Sequence, residues 1–322
     1  MTAVVFILKR LAFAVLLLLV VSLLVFSLLS LSGVSPITRI VGGETPSPSQ
    51  LAALEAEYHL NDPWLVQYGY WLRDAVQLDF GRSIGSNQTV TSLIGERLPI
   101  TLGLGVICLI AVVAIGIPAG MIAGSRRGTW IDRLLSSSMT LGLSAPTFAL
   151  GIVLLYLFGV QLEWFPVYGP GSEGFGDRLK HLVLPACALS LSLVAIVGRQ
   201  TRAAMLNVTQ QDFIVFARAR GLSTGRILLR YALRNAALPV ITVTGLIVIT
   251  LVGGTVLIEQ VFSLDGVGQL MIRSIRTNDV AVVQGVTIFI AIAVVLTNLL
   301  VDLLSMVVDP RTRYATRGWR ND

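Results

Sequence analysis

Six long apolar runs, separated by polar stretches of unequal length, set the pattern of this sequence: residues 11–31, 100–123, 134–160, 182 to about 205, 238–258 and 280–308. Each has about 20 residues or more, the length a helix needs to cross the hydrocarbon core of a bilayer. The pattern therefore predicts an all-α, polytopic membrane protein with six transmembrane helices. Pro118, Pro146 and Pro185 lie within or at the edge of three of the runs. Kinks are expected there, because a proline frees a carbonyl one turn earlier. The first run follows Lys9 and Arg10, exceeds the apolar region of a secretory signal and leads into Ser-Gly-Val-Ser-Pro, so it reads as a retained anchor.

Between the first two runs the pattern turns polar. Residues 32–99 carry Glu44, Glu55, Glu57, Asp62, Asp74, Asp79 and Glu96 against Arg39, Arg73, Arg82 and Arg97, and read as an extramembrane helical segment. Ser47-Pro48-Ser49-Gln50 offers a cap, a proline at the first helical position and a glutamine three residues after the cap, ahead of a helix through Leu51, Leu54 and Tyr58. Asp62-Pro63 repeats that start, and Trp64, Tyr68, Leu72 and Ala75 give the next helix one apolar stripe, read as packing or membrane-interface contact. His59 reads as a surface residue, and Asn87-Gln88-Thr89 fits a glycosylation sequon of low specificity.

A second polar island, residues 211–240, sits between two apolar runs and is rich in arginine. Asp212 is a good N-cap for a short helix over 213–220, and Gly221 suits the left-handed residue that ends it. Ser223 or Thr224 caps the following helix, which enters the membrane near Leu238 and Pro239. Phe213, Phe216 and Ala217 fall at i, i+3 and i+4, forming one apolar ridge flanked by Arg218 and Arg220. Such a ridge suits a partner's groove. Two other readings stand beside it: basic residues that satisfy the charge bias of cytoplasmic loops, and an amphipathic helix lying on lipid headgroups.

With 322 residues, 54% hydrophobic and 13% charged, the chain falls in the membrane class, so its net charge of +6 has to be read by position. Lys9 and Arg10, the Arg126–Arg127–Arg133 group, the arginines from 199 to 234, and Arg311, Arg313, Arg317 and Arg320 fall on one side of the six runs. Only Arg178, Lys180, Arg273 and Arg276 oppose them, the long 32–99 segment being left out. Positive charge accumulates inside, so both termini and the 211–240 island are expected to be cytoplasmic, in a cell (inner or plasma) membrane with lipid around the spans. The arginines do not form one soluble basic face, and nucleic acid is not an expected partner. Cys108 and Cys187 lie in apolar runs as small hydrophobes, so neither a disulfide nor a metal site is indicated.

No catalytic constellation emerges. Ser144 lacks the second glycine of a nucleophile elbow, His181 sits at a membrane edge, and no G-x-x-x-x-G-K-[ST] phosphate loop occurs, so this chain is not expected to bind ATP. Asp302 is the one acid well inside a span. With Asn298 and Ser305 it lies on one helical face, read as helix glue or as part of a solute pathway. Gly253 and Gly254 permit close helix approach or plain packing. Glu259 and Asp265 would flank an outer mouth, as gate residues or as parts of a solvated loop.

The island also resembles the cytoplasmic loop of ABC-importer membrane subunits, whose pattern is E-A-A, three residues, Gly, then I-x-L-P after a gap. Here Val215-Phe216-Ala217 stands at the E-A-A positions, Gly221 at the glycine, and Ala236-x-Leu238-Pro239 at the end. The glutamate is absent and the gap is longer, departures that resemble the peptide-importer branch. LNDPWLVQYGYWLRDAVQLDFGRS, GERLPITL, GIPAGMIAG, RRGTWIDR, GLSAPTFALG, GTVLIEQVFSLDGVGQL and LLVDLLSMVVDPRTRY are similar to stretches of B-type permease subunits of dipeptide, oligopeptide and nickel importers. Gly33-Val34-Ser35-Pro36 departs from the P-G-D-P common in that family.

The resemblance implies a type I ABC importer transmembrane-domain fold. Its parts would be an N-terminal tip and first span (1–31), an extracytoplasmic segment (32–99), a five-helix core (98–307) with its coupling loop at 207–235, and a cytoplasmic tail (308–322). It further implies a non-catalytic subunit forming half of a translocation pathway, a second homologous permease, cytoplasmic ATPase subunits that hold ATP and Mg, and an extracytoplasmic solute-binding protein. The implied solute is a di- or oligopeptide, with nickel chelates, glutathione or another small peptide-like solute as alternatives. An intramembrane enzyme would need a paired nucleophile and base or a metal cluster, and a membrane scaffold would need no nucleotide-driven motion.

Overall fold

A computed structural model describes residues 3–30, 62–171 and 174–308, which are almost entirely helical. The expected helix through Leu51, Leu54 and Tyr58, His59, and the tail beyond 308 lie outside the described residues. Among the described residues, five helices are long and apolar enough to cross a membrane, and one bent pair makes the sixth when counted as a single span. The chain divides into two compact units: residues 102–264 with the described ends of the chain at 3–5 and from 296 onward, and residues 6–101 with 265–295.

The first unit is built around α6 (Phe175–Thr209). Packed on it are the second half of α3 (Val90–Ser125), α4 (Trp130–Ser144) and α5 (Thr147–Gln161), together with α8, which runs from Thr224 through Gly254. Small residues make this packing close. Gly116, Gly120 and Gly124 recur every fourth residue on α3. A β-carbon at Gly116 would lie 3.1 Å from the Val194 carbonyl oxygen, one at Gly124 would lie 2.7 Å from the Met205 β-carbon, and one at Gly120 would strike the Gly198 carbonyl oxygen. This is the small-xxx-small device by which membrane helices approach without a hydrophobic driving force between them.

Prolines shape the same unit. Pro118 cannot donate to the carbonyl of Ala114, and the turn before it widens to a π-helix over Val112–Gly116. At Pro146 the effect is larger than the kink expected from sequence. A residue before proline disfavours the helical region, Ala145 is extended (φ −99°, ψ 134°), and α4 and α5 meet at 99°. The apolar run 134–160 is therefore a broken pair and not one kinked rod. Pro185 sits buried within an uninterrupted α6.

The second unit holds most of α1 (Ala3–Ser30), α2 (Trp64–Val76), α10 (Val267–Arg276) and the first part of α11 (Val280–Val308). Pro63 (φ −55°, ψ 142°) is the residue that caps α2, so the helix starts one position later than Asp62-Pro63 implied, and the Asp62 carbonyl instead accepts from Gln67 Nε2 at 2.9 Å. The aromatic stripe of α2 packs on Phe26 of α1, at ring-centroid distances of 5.8 Å for Trp64, 5.6 Å for Tyr68 and 5.8 Å for Trp71. Trp71 thus joins the stripe. The Tyr68 and Ser22 hydroxyls meet at 2.8 Å.

Phe80, Val90, Leu93, Val267, Val282 and Val286 form the buried core of this unit. Asp279 fastens its loop: the carboxylate accepts from Ser83 Oγ at 2.6 Å and from the Ile84 amide at 3.1 Å, at the start of α11. Asn87 of the sequon occupies a tight turn at φ 56°, its carbonyl held by Arg82 Nη1 at 2.9 Å.

Candidate coupling and pathway surfaces

The short helix α7 spans Asp212–Ala219. Gln211, in an extended conformation (φ −78°, ψ 147°), is its cap residue and makes no side-chain cap bond. Asp212 is therefore the first helical residue and not the N-cap, where its charge favourably meets the helix dipole. At the other end Arg220 closes the helix and Gly221 takes φ +74°. The Gly221 amide donates to the Arg218 carbonyl at 2.9 Å and the Leu222 amide to the Ala217 carbonyl at 3.3 Å, the two bonds of a Schellman end.

The two sides of α7 differ. Ile214 and Ala217 are buried in an apolar cluster with Met121, Met205, Ile227 and Ala232. Phe213, Val215 and Phe216 point outward, with Phe216 69% exposed, and Asp212, Arg218 and Arg220 are exposed beside them. Ala217 therefore does not belong to the outward ridge expected from i, i+3, i+4 spacing. Its small side chain lets α7 seat against the cluster, and Val215 takes its place on the outer face. An inner face fixed by packing and an outer face that leaves two phenylalanines and a valine in the open is the geometry of a surface held for contact.

At the start of the same unit's α4 lies a site that sequence reasoning passed over. Asp132, 4% exposed, receives Arg202 of α6 as a fork, Nε to Oδ1 at 2.6 Å and Nη2 to Oδ2 at 3.0 Å. The Gly128 amide donates to Oδ2 at 2.9 Å and Ser136 Oγ to Oδ1 at 3.2 Å. From sequence Arg202 is one more inside-facing positive charge and Asp132 one acid in RRGTWIDR; only the burial of the carboxylate marks the pair.

Among the pathway candidates, Asn298 is exposed on α11 and Asp302 half-buried; the side chain of Ser305 lies outside the described residues. Among the described residues Gly253 and Gly254 do not mediate a close approach: a β-carbon at Gly253 would meet nothing within 4 Å, and one at Gly254 only Thr250 of the same helix at 3.8 Å. That role falls to Gly245, where a β-carbon would strike Val301 of α11. Glu259 does not stand in a solvated loop. It is fully buried on α9 (Val256–Val261), its amide bonded to the Thr255 carbonyl at 2.8 Å. Asp265 is held by Arg97 at 3.4 Å and Arg273 at 3.5 Å.

A groove of about 480 Å³ opens between α6 and α8, lined by Gln200, Leu238, Pro239, Thr242, Val243 and Leu246. Gln200 brings a side-chain amide to this lining, and the Thr242 hydroxyl there donates to the Leu238 carbonyl at 2.9 Å. Among the described residues no group of three His, Cys, Asp or Glu side chains is placed to hold a metal.

Apolar helices of spanning length, with a short helix buried on one side inserted between two of them, define a polytopic membrane protein. The chain belongs to the family of inner membrane components of binding-protein-dependent transport systems, whose model matches residues 116–314, while the model of that family's N-terminal region matches residues 3–105. It is 37% identical over 314 residues to the oligopeptide transport system permease protein AppB of Bacillus subtilis, covering 96% of this chain and 99% of that one. It is 39% identical over 310 residues to a Brucella abortus (strain 2308) chain whose name places it among peptide transport system permeases, covering 96% and 98%. An inward-facing structure of the MetNI methionine ABC transporter matches 67% of this chain and 96% of its own at TM-score 0.54 and 19% identity, a likeness of fold. The chain is thus a non-catalytic transport subunit with a type I importer transmembrane fold, and not an enzyme.

Proposed function

We propose that this chain forms one half of the translocation pathway of an ATP-driven importer of di- or oligopeptides. A second, homologous permease completes the pathway, a solute-binding protein delivers the peptide from outside, and cytoplasmic ATPases that hold ATP and Mg dock on α7. Both termini and α7 face the cytoplasm, in keeping with the crowding of arginines on that side. The observation that carries the reading is α7 itself. Its inner face is locked into the apolar cluster while Phe213, Val215 and Phe216 stand outward, on a chain that resembles peptide permeases along nearly its full length.

ATP-driven closure of the ATPases moves α7, and the packed helices behind it switch access to the pathway. The groove beside Gln200 supports a pathway role for that face. Lipid offers no partner for an exposed amide, whereas a peptide main chain offers both donors and acceptors. The test is uptake of a labelled tripeptide by proteoliposomes holding the complete importer, with ATP inside and the binding protein outside. ATP-dependent accumulation blocked by unlabelled peptide, but not by a nickel chelate or glutathione, is the expected result. Competition by the chelate or glutathione alone would replace the peptide reading with one of those solutes.

A further inference from the structure

The Asp132–Arg202 pair is better made than a charge-bias arginine requires. Each carboxylate oxygen accepts two hydrogen bonds, one from the Arg202 fork and one from Ser136 or the Gly128 amide. Thr129, the cap of α4, also accepts from the Asp132 amide through Oγ1 at 3.4 Å. The Asp132 carboxylate is buried while the Arg202 side chain stays 29% exposed; burying a charge is costly, and apolar side chains of similar volume commonly hold a fold as well, so stability alone is a poor account of such a pair. Its best-attested use is to fix one packing register among several.

The position says which register. A β-carbon on Gly120 would lie 3.1 Å from the Arg202 amide nitrogen, and one on Gly124 would lie 2.9 Å from its carbonyl oxygen, so α3 rests on the backbone of this residue. Three residues further along α6, Met205 is buried in the cluster that seats Ile214 and Ala217 of α7. Arg202 is therefore where α3, α4 and α6 are joined, one turn from the seat of α7. Beyond α4 lies the 99° bend into α5. Near its other end α4 is held to α6 by Ser192 Oγ, which donates to the Gly142 carbonyl at 2.9 Å; at the α7 end the forked arginine–carboxylate pair holds both distance and angle, which dispersion contacts do less sharply.

We propose that Asp132 and Arg202 are positioning residues for the transport step: they lock α4 to α6, so that displacement of α7 reaches α4, and α5 beyond it, instead of being lost as slippage between helices. The inference rests on the reading of α7 as the ATPase-docking helix. Neither residue lies on α7 or lines the groove beside Gln200.

The test uses the complete importer in proteoliposomes and counts peptide imported per ATP hydrolysed. The double variant Asp132→Leu with Arg202→Leu removes both charges together and leaves neither buried alone. It is expected to assemble at wild-type yield and to hydrolyse ATP, while peptide imported per ATP falls about tenfold, within the range over which such networks carry coupling. Arg202→Lys keeps the charge but not the fork, so it guards against a double variant that fails to assemble. Its import per ATP is expected to fall about threefold with assembly unchanged. A wild-type ratio in Arg202→Lys, or in an assembled double variant, overturns the proposal and makes the pair a packing contact. Absence of ATP-dependent import in the wild-type importer would instead remove the underlying functional reading, and this inference with it, before any variant is compared.

Discussion

At Gly221 a single torsion decides where α7 ends. Its φ of +74° lies in the left-handed region, where a β-branched residue costs about 1–2 kcal/mol and glycine nothing. Gly221→Val should therefore loosen the last turn of α7, read as faster hydrogen exchange at the amides of Ala217 to Arg220, whereas Gly221→Asn should be nearly silent. Unchanged exchange in the valine variant would contradict the assigned role of the Schellman end. Asp302 is half-buried on the last span, and we expect Asp302→Leu to lower the yield of assembled complex and Asp302→Asn to lower it less, since the amide keeps hydrogen-bonding capacity. Normal assembly of both with loss of uptake would move Asp302 from helix packing to the pathway. At this scale the sequence was legible where one residue type has one physical use, as with Gly221. It was not legible where burial decides. Glu259 looks like any loop acid until the fold encloses it, Ala217 shares its spacing with both faces of a short helix, and Asp132 and Arg202 are 70 positions apart.

Elements were read more securely than residues, because a run of about 20 apolar residues has few fates other than a membrane span. Runs 100–123 and 280–308 correspond to α3 and α11. What hydropathy could not convey was how the helices meet. Hydropathy treats 134–160 as one stretch, whereas the extended Ala145 before Pro146 turns it into α4 and α5 at 99°. Likewise Gly253-Gly254 and Gly116-x₃-Gly120-x₃-Gly124 look equally suited to close packing, yet only the second set lies against another helix. Gly120→Leu should therefore separate α3 from α6, reducing the recovered complex severely, as overpacked contacts do. Gly253→Leu should be tolerated. Comparing the two yields by size-exclusion chromatography after detergent extraction checks this, and equal loss in both would contradict the packing described for α6.

For the whole molecule, function depends on which side each surface faces and on what α7 touches. In a background lacking Cys108 and Cys187, Ser263→Cys should react with an impermeant thiol reagent on intact cells, and Ser125→Cys and Ser223→Cys should not. Labelling with the reverse pattern would invert the chain and place α7 away from any cytoplasmic ATPase. The central claim is that the outward face of α7 links ATP hydrolysis to peptide movement, and Phe216 is its most exposed aromatic residue. Phe216→Arg would press an uncompensated charge into a groove shaped for an apolar ridge, and loss of an aromatic anchor commonly costs 2 kcal/mol or more, about a thirty-fold loss of affinity. The most direct measurement is ATPase co-purification together with peptide uptake for this variant, at a membrane level matched to wild type by immunoblot. We expect normal insertion, with ATPase retention and uptake both lost; normal retention with wild-type uptake would contradict the account and leave α7 as an amphipathic helix resting on lipid.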